Sequence, residues 1–156
     1  MSQPRLSRPA PAAGFTLIEL VILIVTLGII AAVAIPKFAD VAAGAKVNST
    51  REEMNRLKRA IVGDPSVVAG GEYVDRGFEG DVGFTPSRLA DLVTRPDSIP
   101  AYNRLTRLGW NGPYVDGDNN EYLTDGWGNP YSFEPGSRRI VSPGAGGAGD
   151  SIIVSF

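Results

Sequence analysis

A single glutamate near the start of a long apolar segment constrains this chain more than any other residue. The segment runs from Phe15 to Ile35, and Glu19 is its only charged residue. A helix of these 21 residues would be about 31 Å long, which matches the hydrocarbon core of a bilayer. A carboxylate in hydrocarbon costs roughly 3 kcal/mol on insertion scales. The segment therefore predicts a membrane helix whose one charge requires a partner or a local structural reason.

Basic residues precede this apolar segment. Arg5 and Arg8 lie before it, and residues 1–14 contain no acidic residue. Positive charge collects on the cytoplasmic side of membrane segments. We therefore expect residues 1–14 in the cytoplasm and the rest of the chain beyond the helix on the opposite side.

Three processing schemes fit the N-terminal pattern. The first is an uncleaved single-span anchor. The second is a secretory signal, because residues 32–34 (Ala-Val-Ala) match an A-x-A cleavage site. The third is cleavage after Gly14, which leaves the helix on the mature chain. The first two schemes leave Glu19 unexplained, whereas the third brings a new amine at Phe15 within reach of its charge.

Local helix chemistry offers another explanation for Glu19. Thr16 and Glu19 have the spacing of a capping box, in which a threonine and a glutamate satisfy each other's free main-chain N–H groups. An acidic residue in the first turn also suits the helix dipole. This alternative requires no partner chain.

Composition excludes several kinds of chemistry. The chain has no cysteine and no histidine, so disulfides, Ser-His-Asp and Cys-His mechanisms and the commonest zinc ligand are absent. No pair of carboxylates stands out as a general acid and base. The net charge of −2 does not favour a nucleic-acid partner. We predict that the chain is not an enzyme and does not bind nucleic acid.

The helical pattern continues beyond Pro36, where a kink is expected because proline lacks a donor. We predict one long helix from residue 15 to about residue 62, ended by the Gly-Asp-Pro sequence at 63–65. A break near Asn48 is the alternative, because residues 49–52 offer a second capping box. Three residues at helical spacing are expected to face the core: Met54, Leu57 and Ile61.

The sequence of residues 63–156 predicts a small, loop-rich globular domain. We interpret residues 65–84 as irregular because of their glycines, and residues 85–93 as a short helix with Thr85 as its N-cap. Three segments have the composition of strands: 131–134, 138–142 and 151–156. The fold class is therefore α+β, with a long N-terminal helix packed on a small antiparallel sheet.

Two tryptophans, Trp110 and Trp127, stand beside glycines in this domain. We expect the glycines to permit tight turns while the rings fill the core with Tyr114, Tyr131 and Phe133. The alternative is a stacking surface for sugars or bases.

The run 14–19 (Gly-Phe-Thr-Leu-Ile-Glu) resembles the processing motif of type IV pilins and of the pseudopilins of type II secretion. Gly28 and Pro36 fall where that family has a helix-weakening glycine and proline. The resemblance implies cleavage after Gly14 by a prepilin peptidase and methylation of the Phe15 amine. It also implies that Glu19 pairs with the Phe15 amine of a neighbouring subunit.

The distal domain extends this resemblance. Gly-Pro-Tyr at 112–114, followed by Asp-Gly-Trp-Gly-Asn-Pro-Tyr at 125–131, is similar to the major pseudopilin of type II secretion. The resemblance implies a pilin-like fold in four segments. These are a cleaved leader (1–14), a transmembrane helix (15–35), its periplasmic continuation (36–62) and a globular domain (63–156).

The function implied by the resemblance is that of a structural subunit in the bacterial inner membrane. Its periplasmic filament, the type II secretion pseudopilus, would drive protein export. The implied partners are further copies of the chain through their N-terminal helices, other pseudopilins, an inner-membrane assembly platform and the prepilin peptidase. One alternative is a major or minor type IV pilin serving adhesion, motility or DNA uptake. The other is a membrane-anchored glycan-binding domain.

Calcium is the one cofactor the resemblance implies, held by a loop near the C-terminus. The corresponding residues 143–150 contain a single carboxylate, Asp150, whereas calcium takes six or more oxygen ligands. A second acidic loop, residues 116–121, has Asp116 and Asp118 at alternating positions, as in half of an EF-hand loop. These three aspartates are the candidate calcium ligands, and no other cofactor is predicted.

Overall fold

The structure is a computed structural model. A long helix lies near the start of the residues that it describes. The described residues are 14–146 and 149–156. The predicted leader, with Arg5 and Arg8, therefore lies outside them except for Gly14. The chain divides into two compact units, Met1–Ala42 and Ala43–Phe156.

Helix α1 (Leu17–Val62) runs without interruption through Gly28, Pro36 and Asn48. It begins later than the predicted residue 15 and ends where predicted. The alternative break near Asn48 does not occur, because the Ser49 hydroxyl donates to the carbonyl of Lys46 inside the helix at 3.1 Å instead of capping a new one. Pro36 removes one donor without ending the helix. A kink there stays a prediction.

The C-terminal part of α1 carries the hydrophobic core of the second unit. Met54, Leu57 and Ile61 are almost completely buried, which confirms the face predicted from their spacing. The helix ends at Gly63, whose main-chain N–H donates to the Arg59 carbonyl at 2.7 Å. The core then gathers residues from the whole distal chain: Phe78, Leu89, Leu92, Ile99, Tyr122, Ile140 and Ile152.

A β-hairpin and a short helix follow α1, so the prediction that residues 65–84 are irregular is wrong. Strands β1 (Asp64–Ala69) and β2 (Glu72–Asp75) pair antiparallel, and helix α2 spans Gly77–Val82. Gly70 and Gly71 form the turn with φ values of 64° and 83°. Two glycines with positive φ are what a tight hairpin turn requires. The glycine pair therefore marks a turn between strands.

The predicted helix at 85–93 is reduced to a single 3-10 turn, Leu89–Leu92. Thr85 does not cap it, because its hydroxyl donates to the Glu79 carboxylate at 2.6 Å. The Asp91 carboxylate accepts the main-chain N–H groups of Ser87 and Arg88 instead, at 3.1 and 3.0 Å. The turn still buries Leu89 and Leu92.

Three antiparallel strands form the predicted C-terminal sheet in the order β3 (Ser132–Glu134), β4 (Arg139–Ser142) and β5 (Ile152–Ser155). A 3-10 turn at Pro135–Ser137 joins β3 to β4. Ile140 and Ile152 point into the core. The α+β fold class predicted from the sequence is confirmed.

The aromatic residues divide differently from the prediction. Phe78 and Tyr122 are buried, and neither was singled out from the sequence. The five aromatic residues expected to fill the core are only partly buried and pack against its edge: Trp110, Tyr114, Trp127, Tyr131 and Phe133. Small loops that turn at glycines therefore place these rings at the border of the core.

Candidate functional site

The first half of α1 presents an apolar surface to its surroundings. Leu17 and Ile18 are 82% and 63% exposed, and the large apolar residues that follow are also exposed. Phe15, just before the helix, is 76% exposed. Within residues 14–146 and 149–156, α1 is the one helix long and apolar enough to cross a membrane. Exposed apolar surface of this extent requires lipid or protein to cover it.

Glu19 lies in the first turn of this helix. Its main-chain N–H donates to the Thr16 hydroxyl at 3.3 Å, and the N–H of Leu20 donates to the Thr16 carbonyl at 3.2 Å. Thr16 therefore caps the helix as one half of the predicted capping box. The other half is not formed, and the Glu19 carboxylate has no ion pair or hydrogen bond within the described chain. Local capping leaves this charge available for a partner.

Gly14 and Phe15, the predicted cleavage site, precede the helix in an exposed, non-helical stretch. A side chain at Gly14 would meet nothing within 4 Å. The same holds for Gly28 inside the helix, so packing within the chain does not require glycine there. The structure thus places Gly14, Phe15 and Glu19 together at one exposed helix end, with Gly28 and Pro36 farther along α1.

In the acidic loop, the Asp116 carboxylate bonds to the main chain. Asp116 Oδ1 accepts the N–H of Asp118 at 3.1 Å, and a 3-10 segment, Asp118–Leu123, follows. Asn119 and Asn120 adopt φ values of 60° and 57° within it. In the described part of the chain, no three acidic side chains are close enough to hold a metal ion together. The structure does not gather Asp116, Asp118 and Asp150 into one site.

Asp125, at the start of the motif 125–131, makes contacts that the sequence did not suggest. Its side chain is buried, with 6% of the residue exposed. Oδ2 accepts the Ser142 hydroxyl at 2.6 Å, and Oδ1 accepts the N–H groups of Trp127 and Asn129, both at 2.9 Å. The position of Asp125 two residues before Trp127, as in an Asx turn, was the only available signal.

Burial is the largest influence on the pKa of Asp125 and would raise it. The hydrogen bonds from Ser142, Asn129 and Trp127 outweigh burial, so the pKa lies below its usual range. Asp125 therefore remains a carboxylate that accepts hydrogen bonds inside the domain.

Both tryptophan side chains make contacts within the domain. The Trp110 indole N–H donates to the carbonyl of Asp91 at 2.9 Å, and its ring meets Tyr114 edge-on with centroids 5.9 Å apart. Trp127 packs partly buried against the core. Both rings therefore take part in packing within the domain.

An exposed apolar N-terminal helix that continues into a small α+β domain defines a membrane-anchored structural subunit. The sequence comparisons agree. Type II secretion system core protein G of Pseudomonas aeruginosa is 30% identical over 127 residues, which cover 81% of this chain and 76% of that protein. The chain belongs to the type IV pilin-like family that includes core protein G.

Other relatives include both secretion proteins and fimbrial proteins. Core protein G of Xanthomonas campestris is 28% identical over 124 residues, covering 80% of this chain and 69% of that protein. A fimbrial protein of Pseudomonas aeruginosa is 39% identical over 82 residues, covering 50% of this chain and 52% of that protein. The chain thus spans about half the length of the fimbrial relatives it matches. No family model and no solved structure matches it.

These findings confirm the resemblance inferred from the sequence. The chain is a pilin-like structural subunit, not an enzyme, and its N-terminal helix anchors it in a membrane.

Proposed function

We propose that this chain is a subunit of a type II secretion pseudopilus. The observation that carries the proposal is the extent of its similarity to core protein G. Helix α1 contains 46 residues, so a match of 127 residues includes much of the distal domain. The similarity to the fimbrial protein covers half of the chain. The similarity to the secretion protein therefore covers more of this chain than the similarity to the fimbrial protein does.

In this proposal the chain is inserted in the bacterial inner membrane with residues 1–14 in the cytoplasm and the distal domain in the periplasm. A prepilin peptidase cuts after Gly14, and the new Phe15 amine is methylated. The exposed position of both residues ahead of α1 suits access by a peptidase. The apolar surface of α1 is first covered by lipid and later by the helices of neighbouring subunits.

Glu19 supplies the register of assembly. Its carboxylate has no partner within the described chain, and it pairs with the Phe15 amine of a neighbour. An unpaired carboxylate and an unpaired amine are both costly in an apolar bundle, and pairing them removes both costs at one relative position of two helices. Growth of the filament, on an inner-membrane platform and with other pseudopilins, pushes exported proteins outward.

Deletion of the gene followed by complementation tests the proposal. Wild type and Asp40→Ala should restore export of secreted proteins, measured in the culture medium. Glu19→Ala should be inserted in the membrane normally, measured by fractionation, but should form no filament and restore no export. Asp40 is a matched control because it is an exposed acidic residue of the same helix, beyond the apolar segment.

Two results would contradict parts of this proposal separately. Filaments formed by Glu19→Ala would refute the pairing model. Loss of surface pili on deletion, with export unchanged, would refute the secretion assignment. It would favour a type IV pilus subunit, for which the 39% identity with the fimbrial protein is the supporting observation.

A further inference from the structure

Three side chains form hydrogen bonds at the start of the loop of residues 143–150. They are Asp125, Asn129 and Ser142, named here the clasp: Asn129 and Ser142 bond Gly144 directly, and Asp125 bonds Ser142. The Gly144 N–H donates to Ser142 Oγ at 3.0 Å, and Ser142 Oγ in turn donates to Asp125 Oδ2 at 2.6 Å. Asn129 Nδ2 donates to the Gly144 carbonyl at 2.8 Å. Both polar main-chain groups of Gly144 are therefore held by the clasp.

Two members of the clasp, Asp125 and Ser142, are buried, and all three are connected by hydrogen bonds. Ser142 is completely buried, and the Asp125 carboxylate faces it from the loop that precedes β3. Asp125 also accepts the main-chain N–H of Asn129 at 2.9 Å, which positions the third member. Hydrogen bonds in such a chain polarise and strengthen one another in a buried site.

The opposite end of the loop meets Gly144 directly. Gly144 has a φ of 67°, and a Cβ there would overlap the carbonyl oxygen of Asp150. Just outside, Ser142 of β4 pairs with Ile152 of β5. The strand pair and the clasp thus close the loop at the same point.

The donors of this loop do not fit the calcium that the family resemblance implies. Its residues other than Asp150 are proline, glycines and alanines, which have no side-chain oxygen. The Gly144 carbonyl already accepts Asn129. Calcium takes six to eight oxygens, several of them carboxylates. In residues 14–146 and 149–156, no other acidic residues gather to complete such a set.

We propose that the clasp, in place of calcium, holds the two ends of this loop together at Gly144 and Asp150. The hydrogen bonds from Ser142 and Asn129, organised by the Asp125 carboxylate, supply the closure, and the distal domain folds without a bound cation. This inference is independent of which kind of filament the chain forms.

Thermal unfolding of the full-length protein in detergent, followed by tryptophan fluorescence, tests the proposal. The Tm of the wild type should be the same in excess calcium and in a chelator. Ser142→Ala and Asn129→Ala should each lower the Tm by about 4–8 °C, equally in both buffers. Ser132→Ala is the matched control, because Ser132 is an exposed serine of the same sheet, and it should melt with the wild type.

A higher Tm of the wild type in calcium would overturn the proposal. If Asp150→Asn removed that increase, the loop itself would be the calcium site. Unchanged Tm values for both Ser142→Ala and Asn129→Ala would overturn it equally. Should Ser142→Ala fail to fold, Asn129→Ala still decides the question, because Asn129 is only partly buried and keeps its main-chain bonds to Asp125.

Discussion

Arg138 and Glu79 lie 59 positions apart in the sequence and form a two-point ion pair in the folded domain. The distances are 2.8 Å for Nη1 to Oε1 and 3.0 Å for Nη2 to Oε2. Arg138 Nε also donates to the carbonyl of the last residue, Phe156, at 2.7 Å, and the guanidinium lies 5.0 Å from the centre of its ring. One side chain thus joins the segment before β4 to α2 and to the end of β5.

Replacing Arg138 should therefore destabilise the domain more than replacing its neighbour. We expect Arg138→Ala to lower the free energy of unfolding by about 1 kcal/mol, a value reduced for solvent screening because the side chain is 46% exposed. Arg139→Ala is the control, since Arg139 makes one exposed ion pair, to Glu134. Denaturant unfolding measures both, and equal effects would contradict the special role of Arg138.

Acid should weaken the domain through Asp125. Because the folded-state pKa of Asp125 is lowered, its contribution to stability is present above the pKa of an unfolded aspartate, about 3.9, and is lost as the pH falls through the folded value. The Tm should therefore drop below about pH 4. The pKa values of Glu79 and Glu134 are also lowered, so these two residues lose their stabilising effect in a similar pH range. The contribution of Asp125 is therefore measured as a difference in Tm between variants.

Ser142→Ala is the variant that isolates this effect. Removing the hydroxyl takes away the hydrogen bond that contributes most to lowering the Asp125 pKa, so the Tm should depend less steeply on pH below about 4. Ser132→Ala provides the reference slope. Parallel Tm curves for the two variants would show that Asp125 does not contribute to acid unfolding.

Replacing a leucine by alanine should destabilise the distal domain far more in its core than on its surface. Leu92 is 0% exposed and Leu105 is 95% exposed. Leu92→Ala should cost about 2–5 kcal/mol in the free energy of unfolding, because it leaves a cavity in a packed core. Leu105→Ala should change it by less than about 0.5 kcal/mol. Similar losses at both positions would contradict the burial of Leu92 in the core and the exposure of Leu105.

The N-terminal residue of the mature protein tests the predicted cleavage after Gly14. Mass spectrometry of the protein from its native host should find methylated Phe15 as the first residue. The same protein expressed in a host without the peptidase should keep residues 1–14. Any other N-terminus in the native host would contradict cleavage after Gly14, and with it the partner proposed for Glu19.

Several parts of the distal domain could be predicted because the relevant pattern is local. The spacing of Met54, Leu57 and Ile61 identified the buried face of α1. The hairpin was missed although Gly70 and Gly71 separate two strand-like runs, because glycines clustered nearby also fit an irregular segment. Thr85 had the pattern of an N-cap, and its hydroxyl bonds Glu79 instead. Local propensity was overruled there by a contact available only in the folded domain.

The sequence by itself determined the apolar helix, its one charge and the family of the chain. Hydrophobic length, helical period and the 14–19 motif are properties of neighbouring residues. The tertiary structure alone decided which polar side chains are buried with partners. Asp125 meets Ser142, and Arg138 meets Glu79, only when segments far apart in the chain are brought together. The value of a buried polar contact depends on that geometry, which no local pattern contains.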